Sequence, residues 1–326
     1  MTTESTASGL RRRPLGSTGL QVSEIGFGAW AIGGGACVQG RGFGYGATDD
    51  AQSLAALARA FELGVNFVDT ADAYGMGHSE RLIGKAIKTS PRRVHVATKV
   101  GTVRRDPESP RMDFSPEYIR EACDRSLSRL GVTCIDVYQL HNPSREVLGD
   151  KRVWDALRRL KDQGKIAHYG ISIGDPEEGL LGMECGEVET IQLVYNLLDT
   201  RPADELFPAA QKRGVGIIVR EPLANGMLTG KYRSGHVFAE NDYRRSAYGG
   251  EKLDAVVKKA AAFGFLAQNT GRSLAQAALK FALAPAAVSV AIPGAKTPEQ
   301  VVENVSAAQA PELSPEELAR CAAAAS

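Results

Sequence analysis

The stretch VNFVDTADAYG, residues 65–75, is the one on which the fold turns. A short run rich in β-branched and aromatic residues ends on a carboxylate, Asp69, and a phenol follows at Tyr74. On its own the segment is compatible with a strand, a helix start capped by Asp69 or Asp72, and one packed aromatic ring. Its flanks say more. Gly64 stands just past a helical pattern at 50–63, where a left-handed residue is needed, and a second helical pattern begins at residue 79. The unit is therefore helix, strand, loop, helix, with an acid at the strand tip.

The same unit recurs along the chain. Apolar, β-branched runs fall at 24–28, 66–69, 94–99, 135–140, 166–171, 190–194, 216–219 and 288–292. Stretches with helical period lie between and after them, at 50–63, 79–88, 116–130, 153–162, 176–183, 203–212, 252–282 and 297–308. Strand followed by helix, eight times over, is the pattern of parallel strands joined by crossovers, and strands apolar on both faces agree with a sheet covered on each side. The spacing predicts a closed (β/α)₈ TIM barrel, with an open doubly wound sheet as the competitor. Residues 15–22, centred on Gly16-Ser17-Thr18-Gly19, predict a short N-terminal hairpin ahead of the first barrel strand. Residues 1–9 are small and polar and are expected to be flexible, leaving one domain over 10–326. Local signals set the helix register: Ser115-Pro116-Glu117, Thr297-Pro298-Glu299 and Ser314-Pro315-Glu316 each place a hydroxyl, a proline and an acid at a helix start, and Gly131 and Gly164 close helices as Gly64 does.

Composition narrows the function classes. The chain has 326 residues, 43% hydrophobic and 24% charged, with a net charge of +1, so no basic field is present to draw nucleic acid or an acidic membrane. No apolar run approaches the roughly 18 residues of a membrane span. The five cysteines are scattered without a C-x-x-C pair and read as free thiols of a reducing compartment, so a soluble, cytoplasmic protein is expected. The five histidines form no ligand pair at helical spacing, which argues against a metal hydrolase. The glycine-rich segment 33–46 lacks both G-x-G-x-x-G and the Walker pattern, and precedes a helix starting near Asp49. It predicts a loop over the barrel mouth, with Trp30, Phe43 and Tyr45 lining a pocket.

In a barrel, chemistry sits at the C-terminal ends of the strands. Ionisable groups fall there on three consecutive strands: Asp69 with Tyr74 in its loop, Lys99 ending VHVATK, and His141 ending IDVYQLH. With these in place the chain resembles an aldo-keto reductase. The resemblance is carried by VNFVDTADAYG with HSERLIGKAI, then VATKVG, SLSRLGVTCIDVYQLH, LKDQGKIAHYGIS, IQLVYNLL, REPLANGMLTGKY and IPGAKTPEQVVENV, in family order over nearly the whole chain. It implies a (β/α)₈ barrel that binds NADPH without a dinucleotide fold, and a catalytic tetrad of Asp69, Tyr74, Lys99 and His141 with none substituted. Hydride delivered to a carbonyl carbon leaves an alkoxide that needs a proton. An ammonium beside Tyr74 is expected to lower the pKa of the phenol, with Asp69 holding Lys99 charged and aimed and His141 orienting the substrate oxygen or sharing the proton.

The resemblance also assigns the cofactor. Leu223, Ala224, Gly226, Gly230 and Lys231, after the seventh strand, would meet the pyrophosphate. Gly294, Lys296, Gln300, Glu303 and Asn304 would meet the adenosine end, with Lys296 near the 2′-phosphate. Ser172, Gln192 and Asn196 would hold or border the nicotinamide amide, and Arg220 would lie near its ring. Two positions depart from the family pattern: Ile173 stands where many members have asparagine, and Gln300 where some have arginine, which loosens the preference for NADPH over NADH. The leading expectation is an NADPH-dependent reductase of an aldehyde or ketone, a small-molecule substrate such as a sugar-like or specialised-metabolite carbonyl. The alternatives are an NADP(H)-binding regulatory subunit resembling the potassium-channel β subunits, and a redox-assisted sugar epimerase or dehydratase. Arg104, Arg105 and Arg111 in the loop after the third strand could meet an anionic or polyhydroxyl substrate.

Overall fold

The computed structural model describes residues 10–38, 41–103 and 111–325, with side chains at 36–38, 41–43 and 325 left out. The expectations for residues 1–9, for the side chain of Phe43, and for Arg104 and Arg105 therefore lie outside the described residues.

Eight parallel strands follow one another around a single sheet: β1 (Phe27–Gly28), β2 (Phe67–Asp69), β3 (His95–Val100), β4 (Ile135–His141), β5 (Ile166–Ser172), β6 (Thr190–Val194), β7 (Gly216–Arg220) and β8 (Val288–Ala291). The ring closes where β8 meets the chain around β1. Gly26 N donates to Ala291 O at 2.8 Å, Ala291 N to Glu24 O at 2.9 Å and Gly28 N to Pro293 O at 3.0 Å. Glycine is required at this seam, because a Cβ on Gly28 would lie 2.5 Å from the Ile292 carbonyl oxygen. The (β/α)₈ barrel of the sequence reading is the observed fold.

The predicted hairpin pairs Arg12–Pro14 with Gln21–Ser23 and seals the N-terminal end of the barrel. Leu15 and Val22, fully buried, join Phe67, Ala97, Val137, Ile218 and Val290 in an apolar cluster that fills the interior. Ser17 N donates to Gly214 O at 2.7 Å and ties the turn to the base of β7. Side chains in a strand repeat every two residues on one face. Two residues beyond Phe67, Ala97, Val137 and Ile218 come Asp69, Lys99, Gln139 and Arg220, so the layer above the apolar plug is polar and opens toward the other end.

The helices start as predicted. Ser115 Oγ accepts from Tyr118 N, Thr297 Oγ1 from Gln300 N and Asp49 Oδ1 from Gln52 N, while Gly131 takes a left-handed φ of 67° at its helix end. Two stretches depart from the periodic reading. The block 252–282 is two helices, Glu251–Ala261 and Leu274–Leu283. Asn269 and Gly271 turn left-handed between them, and Ser273 with Gln276 forms a new capping box. The helix expected from residue 203 runs from Leu206 to Arg213 after a 3₁₀ turn at Arg201–Ala203. The glycine-rich loop after β1 and the loop after β3 each carry a short antiparallel ribbon, Ala36–Val38 with Arg41–Phe43 and Thr102–Val103 with Arg111–Met112.

Candidate active site

Asp69 and Lys99 are brought together by adjacent strands and are almost wholly enclosed, with side-chain exposures of 3% and 1%. Two charges taken so far from water persist only if paired and hydrogen-bonded, and here every donor of the ammonium has an acceptor. Lys99 Nζ donates to Asp69 Oδ2 at 2.5 Å, to Thr70 O at 2.8 Å and to Tyr74 Oη at 3.3 Å. The other carboxylate oxygen, Asp69 Oδ1, accepts from Gln192 Nε2 at 2.7 Å and Gln139 Nε2 at 3.2 Å. A lysine has three protons to give, so two protein acceptors fix the ammonium and its third proton points at the phenol.

The loop after β2 delivers Tyr74 to that proton. Thr70 Oγ1 donates to Ser79 Oγ at 2.8 Å, and Ser79 Oγ to Ala29 O at 3.1 Å, which fastens the loop to the chain beyond β1. Gly75 has φ of +58°, and a Cβ there would lie 1.9 Å from the Gly33 carbonyl oxygen. Only glycine lets the two loops pass so closely. His141, at the tip of β4, presents its ring edge-on to Tyr74 at a centroid distance of 6.0 Å and 82° between planes. The four expected groups thus converge on one point.

Their electrostatics correct one expectation. The Tyr74 phenol lies above its ordinary pKa, because burial outweighs Lys99, which pulls it down, and Asp69 adds to the rise. The ammonium limits the upward shift without reversing it. Burial also pulls Lys99 down, but Asp69 and Tyr74 more than offset this, so the lysine is held charged above its usual range.

A cavity of about 1150 Å³ opens over these residues. Asp69, Tyr74, His141, Gln192 and Arg220 line its inner part, with Trp30 and Tyr45 on the wall. From there it follows the loops after β7 and β8, past Leu223, Gly226 and Lys231, to Gly294, Lys296, Gln300, Glu303 and Asn304. Ser172, Asn196, Ala224 and Gly230 stand off its wall: Ser172 Oγ donates to Gln192 Oε1 at 3.4 Å, and Asn196 Nδ2 to Glu221 O at 2.9 Å. Lys296 is occupied differently from expectation. Its ammonium donates to the carbonyls of Tyr45 and Ala47, and burial, with the charges of Arg244 and Lys231 nearby, lowers its pKa. The cavity nonetheless fits an extended dinucleotide. Its lining includes Arg220, Lys231, Arg244 and Lys296, and it reaches Gln300 in the first turn of the helix Pro298–Ser306, where anions are favoured.

Glu221, Asn225, Tyr243 and Arg244 also line the cavity and were not singled out from sequence. Asn225 lies in the Leu223–Gly226 run, where its Asn-Gly pair is a turn signal. Tyr243 and Arg244 open the short helix Tyr243–Ala247, within 233–250, a polar stretch with interspersed aromatics that reads as a substrate-setting loop without marking these two residues. Among the described residues no cluster of histidine, cysteine and acidic side chains could hold a metal ion, and no helix is long and apolar enough to cross a membrane.

A parallel barrel sealed at one end, with a buried Asp–Lys–Tyr array under a long groove at the other, defines a class of nicotinamide-dependent oxidoreductases. Residues 24–326 match the model of the Aldo/keto reductase family, and the chain belongs to that family. Among curated relatives, the oxidoreductase YqkF of Bacillus subtilis is 32% identical, covering 95% of this chain and 94% of its own. The NADH-specific methylglyoxal reductase of Escherichia coli is 30% identical, covering 91% and 93%. The solved structure of the aldo-keto reductase AKR11C1 from Bacillus halodurans in its holo form superposes with a TM-score of 0.80 at 31% identity, covering 97% of each chain.

Proposed function

We propose that the protein reduces an aldehyde or ketone to an alcohol with NADPH, Tyr74 supplying the proton. The observation that supports this most is the Lys99 ammonium 3.3 Å from the Tyr74 hydroxyl at the inner end of the cavity. The cofactor, when bound, supplies a hydride. The chain's part is to hold the carbonyl oxygen between Tyr74 and His141 and to protonate the alkoxide that forms. A phenol raised by burial is still more acidic than an aliphatic alcohol, so the transfer runs downhill. The phenolate left behind sits against a fixed ammonium, which Asp69 keeps charged.

The residues that would hold the dinucleotide include Lys231, Arg244 and Lys296 of the groove, with Gln192 and Arg220 toward its reactive end. NADH is the second reading. Lys296 is engaged on two carbonyls, Gln300 Oε1 accepts from Lys296 N at 2.7 Å, and one relative carries an NADH-specific name. Free thiols at Cys123, Cys134, Cys185 and Cys321 suit a cytoplasmic enzyme of one domain acting on small molecules.

The test is substrate-dependent oxidation of NADPH and of NADH across a panel of carbonyls, repeated with Tyr74→Phe. That variant keeps the ring and loses the proton, so turnover falls by about 10²–10⁴ while cofactor binding is retained. More than about a tenth of the original turnover, with chemistry limiting, would remove Tyr74 as the acid.

A further inference from the structure

Tyr74 lies within an aromatic box that the reaction itself does not require. Trp30 approaches Tyr74 at 6.2 Å between centroids, Tyr45 packs on Trp30 at 4.8 Å, and Tyr243 on Trp30 at 5.3 Å. Tyr45 arrives from the loop after β1, just past that loop's short ribbon, and bridges to Asp242. Its anchors come from the opposite rim. Tyr45 Oη donates to Asn225 Oδ1 at 2.5 Å, the Arg244 guanidinium sits 4.8 Å over its ring, and Lys296 donates to its carbonyl. Tyr243 N reaches back to Gly44 O at 2.9 Å.

Resting on the reading of the groove as a nicotinamide site, we propose that Tyr45 is a specificity-determining wall for the carbonyl substrate and that Asn225 is the residue that positions it from the cofactor side. Asn225 is built for this. It is 8% exposed and left-handed at φ 55°, a conformation asparagine tolerates better than other residues with a side chain. Its amide nitrogen donates to Glu221 Oε2 at 2.7 Å and Tyr248 Oη at 2.9 Å. With the amide so oriented, its oxygen faces Tyr45. The Tyr45 phenol stays protonated, since burial and then the Glu221 carboxylate push it well above its ordinary pKa, so it remains the donor.

Of the three anchors of Tyr45, Asn225 and Lys296 differ in what a cofactor does to them. A phosphate is a stronger acceptor for an ammonium than a pair of carbonyls, so a dinucleotide in the groove draws Lys296 from Tyr45 and Ala47. The Lys296 anchor is then lost, and the Tyr45–Asn225 bond, with Arg244 over the ring, is what keeps it against Trp30. Groove occupancy and the shape of the substrate box are thereby linked through named residues, and linkage of this kind is reciprocal.

The chain's two tryptophans make the link visible. Trp154 is buried on another helix with its indole nitrogen donating to Leu148 O at 2.8 Å, so changes in emission report Trp30. The probe is ADP-ribose 2′-phosphate, with ADP-ribose beside it; both carry the diphosphate and lack the nicotinamide ring that would quench directly. In the unmodified protein, saturation shifts Trp30 emission only slightly, because Asn225 holds the box. In Tyr45→Phe, binding by calorimetry stays within about threefold, while the emission change is at least twice as large. KM for 4-nitrobenzaldehyde rises about 2- to 13-fold, the worth of one ordinary hydrogen bond, with kcat within about twofold and KM for methylglyoxal unmoved. Asn225→Gly, which suits the left-handed backbone, gives the same KM change, and the double variant adds nothing to either. Unchanged emission and KM in Tyr45→Phe, or additive effects in the double variant, overturn the proposal. Failure of the unmodified protein to bind either probe instead overturns the cofactor reading on which it rests.

Discussion

Lys99→Met puts the buried pair to a quantitative test. Methionine matches the lysine stem in volume and removes the charge, leaving the Asp69 carboxylate, 3% exposed, with two glutamine amides and no cation. Breaking a buried pair from one side costs about 3–5 kcal/mol, because the remaining charge is uncompensated. At about 2.1 cal/mol/K per residue over 326 residues, that lowers Tm by about 4–7 °C. Asp69→Asn combined with Lys99→Met removes both charges and recovers much of the loss, since a pair replaced by neutral groups is often nearly neutral in stability. Denaturant unfolding of the four proteins gives the cycle. Single and double variants whose costs simply add, or a Lys99→Met deficit under about 1 kcal/mol, would refute the coupling on which the aiming of the ammonium depends.

Asp72, on the loop that carries Tyr74, is pushed up to about 7 by burial and by Glu80, with Arg129 opposing, and its Oδ1 is buried without a hydrogen-bond partner. A carboxyl raised in the folded state loses stability as pH rises from its unfolded value of 3.8 to the folded one, and the loss levels off above about 7, so unfolding scans between pH 4 and 8 should show a decline, flattening at the top of the range, that Asp72→Asn abolishes; parallel profiles would count against it. Gly75→Ala forces a Cβ onto Gly33 O at a φ of +58°, displacing Tyr74, and a shift of 1 Å at a reacting group costs about 10²-fold in turnover; an active variant would show the loop to be slack. Lys296→Ala should weaken NADPH by about tenfold and leave NADH nearly untouched if the ammonium reads the 2′-phosphate; calorimetry showing equal losses for both would place Lys296 on something the two share.

The barrel was legible because its evidence is repeated and local. Each strand is a short apolar run between helical periods, and caps such as Ser115 and Thr297 act on their own next turn, so neither depends on knowing what lies across the molecule. The block 252–282 failed for a related reason. Hydrophobic period cannot register Asn269 and Gly271 turning left-handed, nor Arg272 gathering the carbonyls of Leu266, Pro311 and Glu312 from the C-terminal segment. That tertiary contact ends one helix and starts another.

The site divides along the same line. Asp69, Lys99 and His141 could be placed because the strand period brings every second residue inward and the barrel rule says which end matters. The pKa of Tyr74 could not, because its sign is a contest between one ammonium and total burial, and burial is a property of the assembled mouth. Asn225 and Arg244 were missed for the same reason, since each acts on Tyr45, about 180 to 200 residues earlier in the chain, and so was Tyr243, which acts on Gly44 and Trp30. What holds the reacting atoms is thus written in strands, and what shapes the space around them is written in contacts between loops. Substitutions in the first set should abolish turnover whatever the carbonyl. Those in the second should change which carbonyl is accepted, and kcat/KM ratios across a panel, measured for Tyr45→Phe against Lys99→Met, separate the two.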